Sequence, residues 1–268
     1  MKAIISHDVD HITAFEHYVD LVIPKYIIRN SIELLNNRIS YKEYLLRIKD
    51  IFDNKWQNII EILLFDKEQG IPSTFFIGVA KGKGLCYSNE NGSKWINNII
   101  GAGFKVGVHG IDYNSYENMK NEYNKFFKIS NINKFGIRMH YLRTNKDTLH
   151  YLNRIGYIYD SSIYELNNPY KIGNMWEFPL TIMDGYIFYE NSKWQNISIE
   201  NAKNKTKEII DKANTLGLEY INILFHDRYF NNSFKEWEEW YIWLIYYLKN
   251  NKITFIDFES AIKELETK

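Results

Sequence analysis

Short, dense apolar runs alternate along this chain with longer segments whose apolar residues recur every three or four positions. The first pattern is that of buried strands and the second that of helices with one buried face. Ala3 to Ser6 reads as a strand. Tyr41 to Phe52 and Trp56 to Gln69 read as helices, the second broken by Gly70-Ile71-Pro72. Ser73 to Val79 is rich in β-formers, and Lys81 to Gly92 reads as a loop. Ser93 is placed to cap a helix through Ile100, closed by Gly101 and Gly103. A strand, Phe104 to Val108, ends at His109. A helix follows over Ser115 to Ile129, then a strand, Phe135 to His140, and a helix, Asn145 to Ile155. Tyr157 to Tyr159 and Trp176 to Met183 read as two further strands, and Ser198 to Leu216 as a helix. The strongly apolar strand Tyr220 to Phe225 ends at His226. A helix from Phe234 to Leu248, a strand from Thr254 to Ile256 and a last helix complete the chain.

Repeated strand-helix units imply an α/β fold with a parallel sheet. A distorted (β/α) barrel of about seven parallel strands, in a single domain over 1–268, fits the count better than an open sheet. A helical insert occupies about 12–56. No Gly-x-Gly-x-x-Gly follows the first strand, and Lys81-Gly82-Lys83-Gly84 lacks the P-loop spacing.

Composition narrows the chemistry. Lys+Arg and Asp+Glu balance at 33 each, which argues against a dedicated nucleic-acid binder. Cys86 is the single cysteine, so a metal would have to be held by His and carboxylates. No leader-like N-terminus is read, and no apolar run approaches the ~18 residues of a membrane span. A cytoplasmic location is therefore expected. The aromatic stretch Trp237 to Leu248 reads as an amphipathic helix, with peripheral membrane association the lesser alternative. No protein partner is inferable.

The polar residues that interrupt the apolar pattern fall at strand ends. Ser6-His7-Asp8-Val9-Asp10-His11 follows the first strand, and alternation puts Asp8 and Asp10 on one face. Paired carboxylates there suit a metal ligand plus a general base. His109, His140 and His226-Asp227 end later strands, and in a parallel barrel all such ends meet on one face. One strand-end His is usually structural; three with an Asp pair are a site. His7 should point away from Asp8 and be structural, and His17 and His150 are expected to be surface or packing residues. His11 lies close to the pair but outside its first shell.

These residues resemble the polysaccharide deacetylase superfamily, also called the NodB-homology or carbohydrate esterase family 4 group. The resemblance runs from Ser6 to Tyr229. It rests on Ser6-His7-Asp8-Val9-Asp10, Thr74-Phe75-Phe76-Ile77, Gly103 to His109, Gly136-Ile137-Arg138-Met139-His140-Tyr141 and Leu224-Phe225-His226-Asp227, in that order. It implies a distorted (β/α) barrel and removal of N- or O-acetyl groups from sugars with a divalent metal, often zinc. It implies Asp8 as general base, Asp10 and His109 as metal ligands, Arg138 as the group that orients Asp8, and His226 as proton donor.

One departure stands out. The family's second motif supplies a second His four residues on, where this chain has Tyr113. Asp112 and His140 are the candidate replacements. His140 is preferred, since adjacent strand ends lie within reach and imidazole suits zinc. The run His140-Tyr141-Leu142-Arg143 resembles a divergent branch linked to surface-polysaccharide functions. A backbone N–H near Tyr141 would serve the oxyanion. Asp160 and Asp184 are candidates for the carboxylate behind His226, with Asp160 preferred. Tyr141, Arg143, Trp176 and Glu177 are the candidate substrate contacts. The expected function is metal-dependent deacetylation of an acetylated carbohydrate. The alternatives are hydrolysis of a non-sugar amide C–N bond and a non-catalytic carbohydrate-binding or assembly role on the same scaffold.

Overall fold

The computed structural model describes residues 1–268 apart from Val19, Asn191, Lys193 and Lys268. Its strands are β1 (Lys2–Val9), β2 (Thr74–Ile77), β3 (Lys105–Gly110), β4 (Ile137–Met139), β5 (Tyr159–Asp160), β6 (Tyr170–Ile172), β7 (Met175–Glu177), β8 (Ile182–Met183), β9 (Tyr220–Leu224) and β10 (Thr254–Phe255). Its helices are α1 (Val22–Leu35), α2 (Tyr41–Phe52), α3 (Ile59–Gln69), α4 (Asn89–Gly101), α5 (Tyr116–Ser130), α6 (Thr148–Ile155), α7 (Asp184–Phe188), α8 (Ile199–Thr215), α9 (Lys235–Asn250) and α10 (Phe258–Glu266).

The sheet runs β6-β7-β5-β4-β3-β2-β1-β9-β8, with β10 paired to the start of β1. Every pair is parallel except the β6–β7 hairpin. The sheet curls into a half-barrel, the (β/α) barrel class that the alternating pattern predicts. Hydrogen bonds from Leu180 N to Ile163 O (2.7 Å) and Glu165 N to Leu180 O (3.1 Å) bring the segments after β5 and before β8 together.

Alternation along β1 separates two environments. Ala3 and Ile5 join the large core under the helices, whereas Ile4 joins a smaller cluster with Phe76, Tyr159, Trp176 and Phe258. Asp8 continues the Ile4 face at the far end of the strand. Close strand packing needs small residues here: a Cβ on Gly136 would come within 2.1 Å of the Tyr159 ring.

Several elements differ from the expectation, among them β6 and α7, which the sequence pattern does not mark. Ser88, not Ser93, caps α4: its hydroxyl accepts from Asn91 N at 3.1 Å, so the helix begins inside the expected loop. The expected strand Trp176 to Met183 is two strands, interrupted around Pro179, and they lie in different parts of the sheet. β7 pairs with β5, whereas β8 pairs with β9. The helix α1, unread in the sequence, joins α2 in the insert. Arg47 of α2 anchors them, with Nη1 2.6 Å from Glu33 Oε2 of α1 and Nε 2.6 Å from Ser233 O. Among the described residues no helix is long and apolar enough to cross a membrane.

Candidate active site

The C-terminal ends of β1, β3 and β4 bring Asp10, His109 and His140 together. His109 Nε2 lies 3.1 Å from Asp10 Oδ1 and 3.0 Å from His140 Nδ1, and His140 Nδ1 lies 3.2 Å from Asp10 Oδ1. Each ring's other nitrogen faces a backbone carbonyl. His109 Nδ1 is 3.1 Å from Arg138 O, and His140 Nε2 is 3.2 Å from Lys83 O. A carbonyl only accepts, so those nitrogens carry the protons and the facing pair present lone pairs. Metal-binding imidazoles are held in this way. Two lone pairs and a carboxylate at van der Waals contact repel unless a cation or a proton sits between them. The donor set therefore fits a divalent metal, with two imidazoles and one carboxylate, as at zinc sites that keep an open position. Burial alone would raise the Asp10 carboxyl; where protons rather than a cation sit between these groups, the charged imidazoles of His140, His109 and His226 outweigh burial and hold it well below the usual range.

Asp112 does not join this group. Its Oδ1 accepts from Asn114 N and Ser115 N, both at 2.8 Å, and its Oδ2 accepts from Asn118 Nδ2 at 2.7 Å. Its oxygens are committed to the turn leading into α5.

Asp8 is buried beside the triad, with Oδ2 3.8 Å from His109 Nε2. Arg138 Nη1 donates to Asp8 Oδ1 at 2.9 Å. The rest of the guanidinium is fixed by Ser161 O (3.0 Å), Ser161 Oγ (2.8 Å) and the face of Phe76 (4.4 Å). His226, after β9, stands across the cleft with Nε2 3.6 Å from Asp10 Oδ2. Its partner is Asp184, which starts α7 directly after β8: Nδ1 lies 2.8 Å from Oδ1, and the His226 backbone N donates to Oδ2 at 2.7 Å. Burial alone would lower the His226 pKa. Asp184, then Asp10 and Asp8, outweigh burial and raise it well above the ordinary imidazole value.

The preferred partner, Asp160, is a correction. Its Oδ1 accepts from Ser162 Oγ (2.7 Å) and its Oδ2 from Ser162 N (3.0 Å). The same hydroxyl accepts from Met139 N at 2.8 Å, so Asp160 supports the strand that carries Arg138. Glu177 is the cross-strand neighbour of Asp160 and is fully buried. Burial, then the Asp160 carboxylate, push Glu177 well above the usual carboxyl range, which keeps a proton between them. Glu177 therefore does not face substrate. Trp176 does not either: it packs in the smaller apolar cluster, with Lys171 Nζ 5.1 Å from its ring centroid. Arg143 donates to His140 O (3.0 Å) and Ile111 O (2.7 Å), so its polar atoms brace the turn holding His140. His7 points away from Asp8 as expected, between Phe225 O and Asp66 Oδ2, each at 2.8 Å.

Tyr141 does line the cleft. With Leu142 it adopts φ of +59° and +52°, a left-handed pair that costs roughly 1–2 kcal/mol per residue. Such strain persists where the surroundings impose it, and here it folds the Tyr141 ring back to 4.1 Å from that of His140. The cleft has two lobes of about 310 and 220 Å³, both bordered by Asp8, Asp10, His11, Tyr141, His226 and Tyr229. Arg29 and Tyr189 also line it, and neither is marked by a sequence motif.

No protein-family sequence model matches the chain, and no curated protein matches it. Solved structures do. A Mycobacterium smegmatis protein assigned as a polysaccharide deacetylase superposes over 98% of this chain and 88% of its own, with a TM-score of 0.63 at 14% identity. A Pseudomonas aeruginosa PAO1 protein with the same assignment covers 96% and 87%, with a TM-score of 0.61 at 14% identity. The Puue allantoinase covers 96% and 86%, with a TM-score of 0.61 at 13% identity. The chain thus has the polysaccharide deacetylase fold, the architecture that the five motifs imply.

Proposed function

We propose that this chain is a metal-dependent hydrolase that removes an acetyl group, from nitrogen, on a sugar of a surface polysaccharide or its precursor. The observation that carries the reading is the convergence of Asp10, His109 and His140 between a buried carboxylate, Asp8, and a carboxylate-backed imidazole, His226. Zinc suits the two imidazoles and one carboxylate. Bound there, it would supply the positive charge that acidifies water and polarises the acyl carbonyl.

The residues divide the proton work. Asp8, held by Arg138 with one oxygen toward the triad, takes a proton from the attacking water. The Tyr141 backbone N–H, in its left-handed turn, is assigned to the developing oxyanion. His226 is kept protonated by Asp184 and donates from Nε2 to the departing amine. Arg138 and Asp184 touch no substrate; they act by fixing Asp8 and His226.

Acetate release from N-acetylated amino sugars by the zinc-loaded protein tests the reading. Release that is abolished in Asp8→Asn supports it, and none from any such sugar contradicts it. The second reading, hydrolysis of a non-sugar amide, draws on the likeness to an allantoinase. It predicts turnover of a non-sugar amide without turnover of acetylated sugars. The complete acid, base and positioning set counts against a purely binding role.

A further inference from the structure

Beside the reaction machinery lies a chain of three side chains that the mechanism does not use. His17 is fully buried, with Nδ1 2.9 Å from Asp20 Oδ2 and Nε2 3.0 Å from His11 Nδ1. His11 borders both lobes of the cleft. Trp56 holds the pair in place, with ring centroids 5.4 Å from His11 and 5.3 Å from His17.

The hydrogen-bond directions are set from one end. Asp20 accepts from Val22 N at 2.8 Å through Oδ1 and from Cys86 Sγ at 3.1 Å through Oδ2. A carboxylate only accepts, so His17 Nδ1 carries the proton. His17 Nε2 is then a lone pair and must accept from His11 Nδ1–H, which leaves the lone pair of His11 on Nε2. Burial and the Asp20 carboxylate push the Cys86 thiol up to about 11, which keeps it a donor into the same carboxylate. His11 lines the cleft, and with Nδ1 engaged by His17 its Nε2 is the ring nitrogen left for a group bound there.

We propose that Asp20 and His17 act as positioning residues that fix His11 Nε2 as a hydrogen-bond acceptor for a hydroxyl group of the substrate. The inference rests on the deacetylase reading for the identity of that substrate, a polyhydroxylated sugar. The fixed tautomer itself does not depend on that reading. A site built to accept from a hydroxyl discriminates against a substrate lacking it, because its own acceptor is then left unpaired.

Asp20→Asn tests the relay at its far end. An Asn amide can donate to His17 Nδ1, which reverses both bonds and turns His11 Nε2 from an acceptor into a donor. Two-bond proton–nitrogen NMR correlations of the zinc-loaded full chain read the tautomer without turnover. The expected result is His11 protonated on Nδ1 in the native protein and on Nε2 in Asp20→Asn. In parallel, KM for an N-acetylated amino sugar is expected to rise about three- to tenfold in Asp20→Asn, the value of one hydrogen bond, with a smaller change in kcat. A native His11 protonated on Nε2 overturns the proposal, as does an unchanged KM in Asp20→Asn. If no acetylated sugar turns over, the deacetylase reading fails, and the tautomer measurement still decides the relay.

Discussion

His109 and His140 point lone pairs at each other across 3.0 Å, because Arg138 O and Lys83 O hold their protons on the far nitrogens. The arrangement stores repulsion that a bound cation relieves. Chelation is therefore expected to lower the melting temperature of the protein, and zinc to restore it. At a thousandfold excess over its dissociation constant, a ligand adds about 4 kcal/mol, or roughly 8–16 °C for a chain of this size. Scanning calorimetry with and without chelator checks this; coincident transitions contradict it.

Arg138 is fully buried and its charge answers that of Asp8. Arg138→Met should destabilise the fold by roughly 3–5 kcal/mol, since it leaves a buried carboxylate uncompensated. Arg138→Lys keeps the charge but not the fork that reaches Ser161 and Asp8 together. It should fold, with kcat reduced more than KM. Denaturant midpoints and steady-state kinetics separate the two effects.

Asp184 raises the affinity of His226 for its proton, and the proposed chemistry needs that proton present. Activity should therefore persist through neutral pH and fall on the alkaline side. Asp184→Asn should move this alkaline limb to lower pH and reduce kcat by roughly 10²-fold. An unchanged alkaline limb in the variant would remove His226 from the role of proton donor.

Glu122 braces the strand end that carries His109, accepting from Ile111 N and Asp112 N, each at 3.0 Å. Burial pushes its carboxyl up from 4.5 to about 7. The folded state then holds this proton more tightly than the unfolded chain. Its stabilising contribution is complete below the ordinary carboxyl value and is lost as pH rises toward 7. Glu122→Gln should lose less stability than the native protein between about pH 5 and about pH 8. Urea midpoints across that range test it, and parallel curves would refute it.

Most of the site was legible because its residues interrupt apolar runs at strand ends: Asp8, Asp10, His109, Arg138, His140 and His226 all do so. Asp184 was harder to rank, because Trp176 to Met183 reads as one strand. Only the interruption around Pro179 moves β8 beside β9 and sets Asp184 behind His226. Arg143 reads as a free cation, yet its donors are spent on two backbone carbonyls that no local pattern reveals. The role of Asp112 was within reach, since an Asp followed by Asn114, Ser115 and Asn118 is a turn-and-cap pattern. The His11–His17–Asp20 chain depends on the insert folding back over the site, which spacing does not encode.

The most direct test of the central claim is metal content measured by mass spectrometry on native protein, His140→Ala and Asp112→Asn after dialysis against limiting zinc. One zinc per chain is expected in the native protein and in Asp112→Asn, with loss in His140→Ala. Full occupancy in His140→Ala, or none in the native protein, would contradict a metal centre built from Asp10, His109 and His140.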